Sequence, residues 1–343
     1  MTISSFHDVP APTEWVVIRL SALGDVALTT GVLEYWHRTH GWTFTVITRE
    51  AFAPVLEGHP AVRSVIGLAK EDLRFPRQLG VFRGLAEAHA GRGLLDLHGT
   101  LRTRLLSLLW KGPVKRYRKL GLERRLFLRS KGRLFRDKLR LWNVPQRYAL
   151  AVESAPPSRA ELLPHIWLSD EEIRQGQRLL EQLPDKAGVP PIALHPYATH
   201  PDKAWKEAYW RQLMQLFESR GIPWIVIGRG SGMEGLPAFR DFTNRTSLRE
   251  TCALLKASSL LITGDSGPMH LAGAVGTPVL ALFGPTTEEW GFFPAGPKDR
   301  VLEPQLDCRP CTLHGKKHCD RSHACMQSIT PEQVMRALGG WGM

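Results

Sequence analysis

No stretch of the chain approaches the roughly 18 consecutive apolar residues that a helix needs to cross a bilayer, which argues against a membrane-spanning helix. The opening MTISSFHDVPAP lacks a basic region followed by an apolar core, so it is not read as a secretory leader and a cytoplasmic protein is expected. A complete G-x-G-x-x-G is also missing. The nearest approach, Gly228-Arg229-Gly230-Ser231-Gly232-Met233, breaks at its last position, against a dinucleotide-dependent oxidoreductase. Cysteine is scarce, with five in 343 residues. One of them, Cys252, sits alone in the helical pattern TSLRETCALLKAS and reads as a small core residue. No short internal repeat is present.

What remains is ordinary globular material, 43% hydrophobic and 23% charged, in a chain long enough for two cores. The net charge of +12 is not evenly spread. Between Arg102 and Arg140 stand fifteen Lys and Arg against only Glu123 and Asp137, leaving the rest of the chain close to neutral. That segment invites an anionic partner, either nucleic acid or a membrane surface, or it is simply a solvated helical face. Few aromatics interleave it, which disfavours single-stranded nucleic acid.

Apolar runs alternate with amphipathic stretches, predicting βαβ units and parallel sheets covered on both faces. In the first half, strands are expected at 15–20, 43–47, 62–66 and 94–97, with helices near 26–38 and 78–90. Prolines in Ser154-Ala155-Pro156-Pro157-Ser158-Arg159 mark a linker. Beyond it the pattern restarts, with strands at 191–195, 224–227, 260–263 and 278–283 and helices at 207–220, 247–257 and 268–274. The expected fold class is therefore α/β, with two Rossmann-like domains facing a cleft, divided into 1–158 and 159–343. Ligands of such sheets bind outside the carboxyl ends of the strands.

Three loops at those ends carry the chemistry. Gly264-Asp265-Ser266-Gly267-Pro268-Met269-His270 follows a strand and opens a helix, with Pro268 in the first turn. Its small residues, free N–H groups and positive helix end suit a phosphate. A crossover helix capped by Ser266 or Asp265 explains the same residues. Ser21-Ala22-Leu23-Gly24-Asp25 holds the equivalent position in the first half. Asp25 there is either a helix-end carboxylate or a general base for an acceptor hydroxyl. Lys203, in His195-Pro196-Tyr197-Ala198-Thr199-His200-Pro201-Asp202-Lys203-Ala204-Trp205, reads as a diphosphate ligand or a solvated lysine.

Together these loops resemble glycosyltransferase family 9, the ADP-heptose:lipopolysaccharide heptosyltransferases. The resemblance rests on I-R-L-S-A-L-G-D-V-A-L-T-T, H-P-Y-A-T-H-P-D-K-A-W and L-I-T-G-D-S-G-P-M-H-L-A-G-A-V-G-T-P-V-L-A-L-F-G-P-T. It implies a GT-B fold, inversion at the sugar's anomeric centre, no cofactor and no metal in the chemistry. It makes Asp25 the catalytic base and Lys203 the contact of the donor diphosphate. Asp265, Ser266, Gly267 and His270 would line the nucleotide-sugar site, with Glu234 toward the ribose and Thr246 near the adenine. Ser266 and Pro268 depart from the commoner Thr and larger apolar residue. The implied partners are a nucleotide-sugar donor and an acidic lipopolysaccharide-core or lipid-linked acceptor, met by Arg102 and Arg104. An anionic inner-membrane surface would meet the basic segment, and no nucleic acid is expected.

Near the C-terminus, Cys308, Cys311, Cys319 and Cys325 are interleaved with His314, His318 and His323. Their spacing is not that of a standard zinc finger, and a structural metal, reduced thiols or a disulfide all fit it.

Overall fold

Apolar runs with no polar alternation need cover on both faces, and they receive it here. In the computed structural model, which describes residues 13–184, 188–313, 315 and 319–341, each half builds one five-stranded parallel sheet. The first contains β1 (Glu14–Ile18), β2 (Thr43–Arg49), β3 (Val62–Leu68), β4 (Gly93–Asp96) and β5 (Val114–Arg116), in the order β3-β2-β1-β4-β5. The second contains β6 (Ile192–His195), β7 (Trp224–Val226), β8 (Leu260–Gly264), β9 (Val279–Leu282) and β10 (Arg300–Leu302), in the order β10-β9-β8-β6-β7.

Around the first sheet lie α1 (Leu23–His40), α2 (Arg77–Ala88), α3 (Leu101–Leu109), α4 (Gly121–Arg129), α5 (Arg136–Arg140) and α6 (Val144–Ala149). Around the second lie α7 (Asp170–Leu180), α8 (Glu207–Ser219), α9 (Leu248–Lys256), α10 (Gly267–Ala274), α11 (Ala324–Gln327) and α12 (Pro331–Leu338). Reciprocal capping boxes fix several starts, including Ser169 with Glu172, Ser247 with Glu250 and Thr330 with Gln333.

Three expectations need correcting. Helix α1 begins at Leu23 rather than near Val26, so Asp25 lies inside its first turn and not in the preceding loop. Edge strands β5 and β10 have three residues each, too short to leave a pattern in the sequence. The basic segment is not one amphipathic face but a strand and three short helices, α3 to α5.

The halves meet through the N-terminal turns of α1 and α10, each following the carboxyl end of a sheet strand. Gly24 is required there, because a Cβ would stand 2.3 Å from Cδ2 of His270. The residues after the 154–159 stretch reinforce the seam. The His165 N–H donates to Thr30 Oγ1 of α1 (2.9 Å), and the Ile166 N–H donates to the Ala274 carbonyl of α10 (2.9 Å).

Candidate functional site

In the second sheet, β6 runs on to β7 on one side while β8 lies on the other. The crevice of such a sheet opens at that reversal, between the carboxyl ends of β6 and β8. His195, the last residue of β6, is buried, and burial pushes its imidazole down to about 4, so it is neutral near pH 7. Its Nδ1 meets Thr263 Oγ1 at 3.0 Å and Ser266 Oγ at 3.3 Å. Ser266 is the residue preceding α10, but its side chain makes no cap, contrary to that reading of the sequence. The hydroxyl is turned to Thr263 and His195 instead, so Ser266 leaves the first-turn N–H groups of α10 uncapped.

Lys203 donates to Oδ2 of Asp265, which also accepts from Thr286 Oγ1 at 2.8 Å. The lysine is thus held at the β8–α10 turn rather than left in solvent. His270 follows one turn into α10, fully inside the seam. Burial lowers its basicity, and the nearby carboxylates of Asp265 and Asp25 offset this only in part. Tyr197 forms a further wall, its hydroxyl 2.6 Å from Thr243 Oγ1. Two glycines of the broken G-x-G-x-x-G make room for these rings, since a Cβ on Gly230 would lie 2.3 Å from Tyr197 Cδ1 and one on Gly228 would lie 2.6 Å from His195 Cδ2.

On the first half, Asp25 faces this cluster from across the seam. Its Oδ1 accepts from Arg19 at 2.5 Å and from the Tyr148 hydroxyl of α6 at 2.8 Å, and its Oδ2 accepts from the Ala22 N–H at 3.0 Å. Burial alone would raise this carboxyl, but the Arg19 guanidinium and these hydrogen bonds hold it below the usual carboxylate range. Burial also keeps Tyr148 protonated, so it serves as a donor. Asp25 therefore closes the start of α1 and presents a charge at the seam as well. Arg19, Tyr148, Tyr197 and Thr286 were not singled out from the sequence. Arg19 left one signal, an arginine inside the otherwise apolar run 15–20.

Other expected site residues stand apart. Glu234 is exposed, its carbonyl held by Arg211 of α8, and the Thr246 hydroxyl pairs with Thr251 at 2.9 Å. Arg102 and Arg104 are exposed in the first turn of α3, with Arg102 near His98 of the β4 loop.

Much of the basic segment is used within the chain. Arg124 is buried and donates to the Trp290 carbonyl at 3.2 Å, Arg140 pairs with Glu289 at 3.0 Å, and Lys138 pairs with Glu123 at 2.9 Å. Arg118, Arg125, Arg129, Lys131 and Arg133 remain exposed, interspersed with exposed Leu122, Leu134 and Phe135.

Cys308, Cys311, Cys319 and Cys325 line one cavity as free thiols, beside His323, whose Nε2 meets Asp202 Oδ1 at 2.9 Å. The disulfide alternative is therefore not what this structure contains. Among the described residues, no three His, Cys, Asp or Glu are arranged to hold a metal ion, and His314 and His318 lie outside the described residues.

Comparison with known proteins agrees with this arrangement. Residues 93–320 match the family described as glycosyltransferase family 9 (heptosyltransferase). Lipopolysaccharide heptosyltransferase 1 of Escherichia coli K12 is 23% identical over 290 residues, covering 79% of this chain and 88% of that one. The family 9 glycosyl transferase of Veillonella parvula DSM 2008 superposes with a TM-score of 0.71 at 21% identity, covering 96% of this chain and 97% of its own. The E. coli heptosyltransferase WaaC, solved with ADP-2-deoxy-2-fluoro heptose, superposes with a TM-score of 0.63 at 19% identity, covering 95% and 99%. The paired Rossmann-like halves are the GT-B arrangement, and the chain belongs to glycosyltransferase family 9, the heptosyltransferases.

Proposed function

We propose that this protein transfers a heptose from ADP-heptose to an acidic acceptor of the lipopolysaccharide core, with inversion at the anomeric carbon. The observation that carries the reading is the opposition of Asp25 to Lys203, Asp265 and His270 across the seam between α1 and α10. A base on one half and a diphosphate cradle on the other are what a two-substrate displacement requires. The relatives, named as heptosyltransferases, support the sugar and the nucleotide.

In this reading residues 1–158 bind the acceptor and 159–343 bind the donor. The diphosphate lies against the α10 N–H groups with Lys203 as its counter-ion, and Gly267 and Ser266 line the turn. The nucleoside extends along the β7 side past Tyr197, toward Thr246 and Glu234. The acceptor hydroxyl attacks the anomeric carbon, the bond from that carbon to the diphosphate oxygen breaks, and the hydroxyl proton passes to Asp25. Negative charge gathers on departing ADP, where Lys203 and the helix end stabilise it. No step calls on a metal or cofactor.

The exposed cations of the basic segment and the neighbouring exposed leucines face the inner leaflet of the membrane, where anionic lipid attracts each basic residue by about 1 kcal/mol. Arg102 and Arg104 belong to the acceptor side of that face. Calorimetry against ADP-heptose, ADP and a panel of other nucleotide-sugars tests the donor assignment. Tighter binding of a uridine or guanosine sugar than of ADP-heptose would refute it.

A further inference from the structure

The seam between the halves also borders a cavity on the far edge of the second sheet. Ser259 and Pro278, which immediately precede β8 and β9, line it, so it lies toward the amino ends of those strands. The crevice that holds Lys203 and Asp265 lies past their carboxyl ends. His270 stands between the two spaces, lining this one and neighbouring Asp265 and Asp25. The cavity measures about 490 Å³. Small-molecule sites run to roughly 300–1,000 Å³, are mostly apolar and favour the boundaries between domains.

Both halves and the stretch that joins them build its apolar walls. Leu28 comes from α1, Leu162 and Leu163 from the joining stretch, Met269 from α10 and Phe293 from the loop before β10. Apolar walls that face a space of this size instead of one another forfeit packing contacts, which an occupant restores. Gly273 of α10 helps to keep the space open. Its φ is not left-handed, and a Cβ on it would meet nothing within 4 Å. Neither turn geometry nor packing therefore asks for glycine there, and glycine is a poor helix former.

The polar part of the wall has donors to spare. Asn143 is 8% exposed, and its Oδ1 caps α6 by accepting from the Gln146 N–H at 3.0 Å. Its Nδ2 has no partner among the described residues, an uncommon state for a buried amide. Arg159 stands close by, since both residues also line an adjoining chamber of about 30 Å³ with Arg140 and Glu288, themselves 3.7 Å apart. Lys298 adds a second cation from the other half, and neither it nor Arg159 forms an ion pair among the described residues. Asp299, the carboxylate in this wall, is committed to the Val279 N–H at 2.9 Å and the Gly296 N–H at 2.7 Å.

We propose that this cavity binds a single-chain amphiphile with an oxyanion head, a carboxylate or a phosphate. The chain lies between Leu28, Leu162, Leu163 and Met269. The head accepts from Asn143 Nδ2 and pairs with Arg159 and Lys298. Such an occupant touches α1, α10 and the joining stretch together, so it selects this juxtaposition of the halves and opposes their separation. The site is distinct from the donor crevice and stands whether or not the protein transfers heptose.

The test is calorimetric titration of the purified protein with decanoate, decyl phosphate and the neutral decanol, all as monomers. One saturable site is expected, with decanol at least fivefold weaker than the better acid, and the tighter acid identifies the head. Gly273→Leu fills the cavity from a position where a Cβ fits, and should abolish binding of the acids while ADP affinity stays within twofold. Arg159→Gln/Lys298→Gln, at two exposed positions, should weaken the acids at least fivefold and change decanol by less than twofold. Melting curves check that each variant is folded, and if Gly273→Leu is not, the exposed pair still decides. Binding that survives Gly273→Leu in folded protein would overturn the proposal. So would acids weakened no more than decanol in the double variant, decanol binding as tightly as the acids, or no saturable binding to the unaltered protein.

Discussion

Replacing Asp25 with Asn removes one charge and keeps the side-chain shape, yet the surroundings make it far from silent. Oδ1 accepts from Arg19 and Tyr148, and Oδ2 accepts from the Ala22 N–H. An amide can meet only one of these sides as an acceptor, so its NH2 confronts a donor on the other. Arg19, 4% exposed, is left without its counter-ion. Removing one partner of a buried pair costs about 3–5 kcal/mol, which at ~2–4 °C per kcal/mol lowers the melting temperature by roughly 10 °C. Turnover of the folded protein should fall by ~10²–10⁴-fold, the usual contribution of a general base. ADP-heptose affinity should stay within about threefold, because no diphosphate contact is lost.

Stability and chemistry are then separated by Arg19→Met/Asp25→Asn, in which no charge is stranded. Replacing a buried pair by apolar groups of similar volume is often neutral, so the melting temperature should largely recover while turnover does not. Melting curves, calorimetry with ADP-heptose and single-turnover rates at saturating acceptor are measured on both variants. If activity returns together with stability, or if Asp25→Asn alone turns over near normally, Asp25 is a structural carboxylate and not the base.

Lys203→Ala should weaken ADP-heptose binding by about 1.5–3 kcal/mol, the scale of a charge-assisted contact, and leave Asp265 facing the diphosphate; unchanged calorimetric affinity would remove Lys203 from the site. Acid should destabilise the fold early. Burial lowers His59 and His195 to about 4 and His98 to about 3, below the ~6.5 of an unfolded histidine. The unfolded chain therefore takes up protons first, and each histidine contributes a stability loss of up to about 1.4 kcal/mol per pH unit from near 6.5 down to its folded value. Asp25 has the same sign in a more acidic window, losing its contribution as pH falls from the ordinary carboxylate value through its depressed one, so melting curves that stay flat between about pH 6.5 and 4 would contradict the buried neutral histidines. Flotation with anionic vesicles should fade with salt and with charge reversal at exposed Arg118, Arg125 and Arg129, but not specifically with changes at Arg116, which already pairs with Asp96 at 3.7 Å; equal binding to neutral vesicles would refute the membrane face.

The interior strands were legible because parallel strands covered on both faces must be written as apolar runs, as in Trp15-Val16-Val17-Ile18 and Val279-Leu280-Ala281-Leu282. Edge strands such as Val114–Arg116 were not, because three residues, none of them buried, carry no period. Asp25, Lys203 and Asp265 could be picked out because each follows a strand, where a sheet exposes its loops. Their partners are set by tertiary geometry. Tyr148 reaches Asp25 from 123 positions away, and Leu97, 78 positions on, supplies the carbonyl that anchors Arg19. Gly267 read as room for a ligand, yet a Cβ there would also press on Leu23 of the other half at 3.1 Å, so part of its small size serves the seam. The charge imbalance was visible as composition. Which arginines are buried, like Arg124, and which are free, like Arg125, depends on which face of α4 packs inward.

The central claim is heptosyl transfer from ADP-heptose to an acidic core acceptor by residues of the chain alone. It is tested most directly by incubating the purified protein with both substrates and excess EDTA, following ADP release and determining the anomeric configuration of the product. The account predicts acceptor-dependent ADP release, undiminished by EDTA, with the new linkage inverted relative to the donor. Release that does not depend on acceptor, a product of retained configuration, or loss of transfer in EDTA would contradict it.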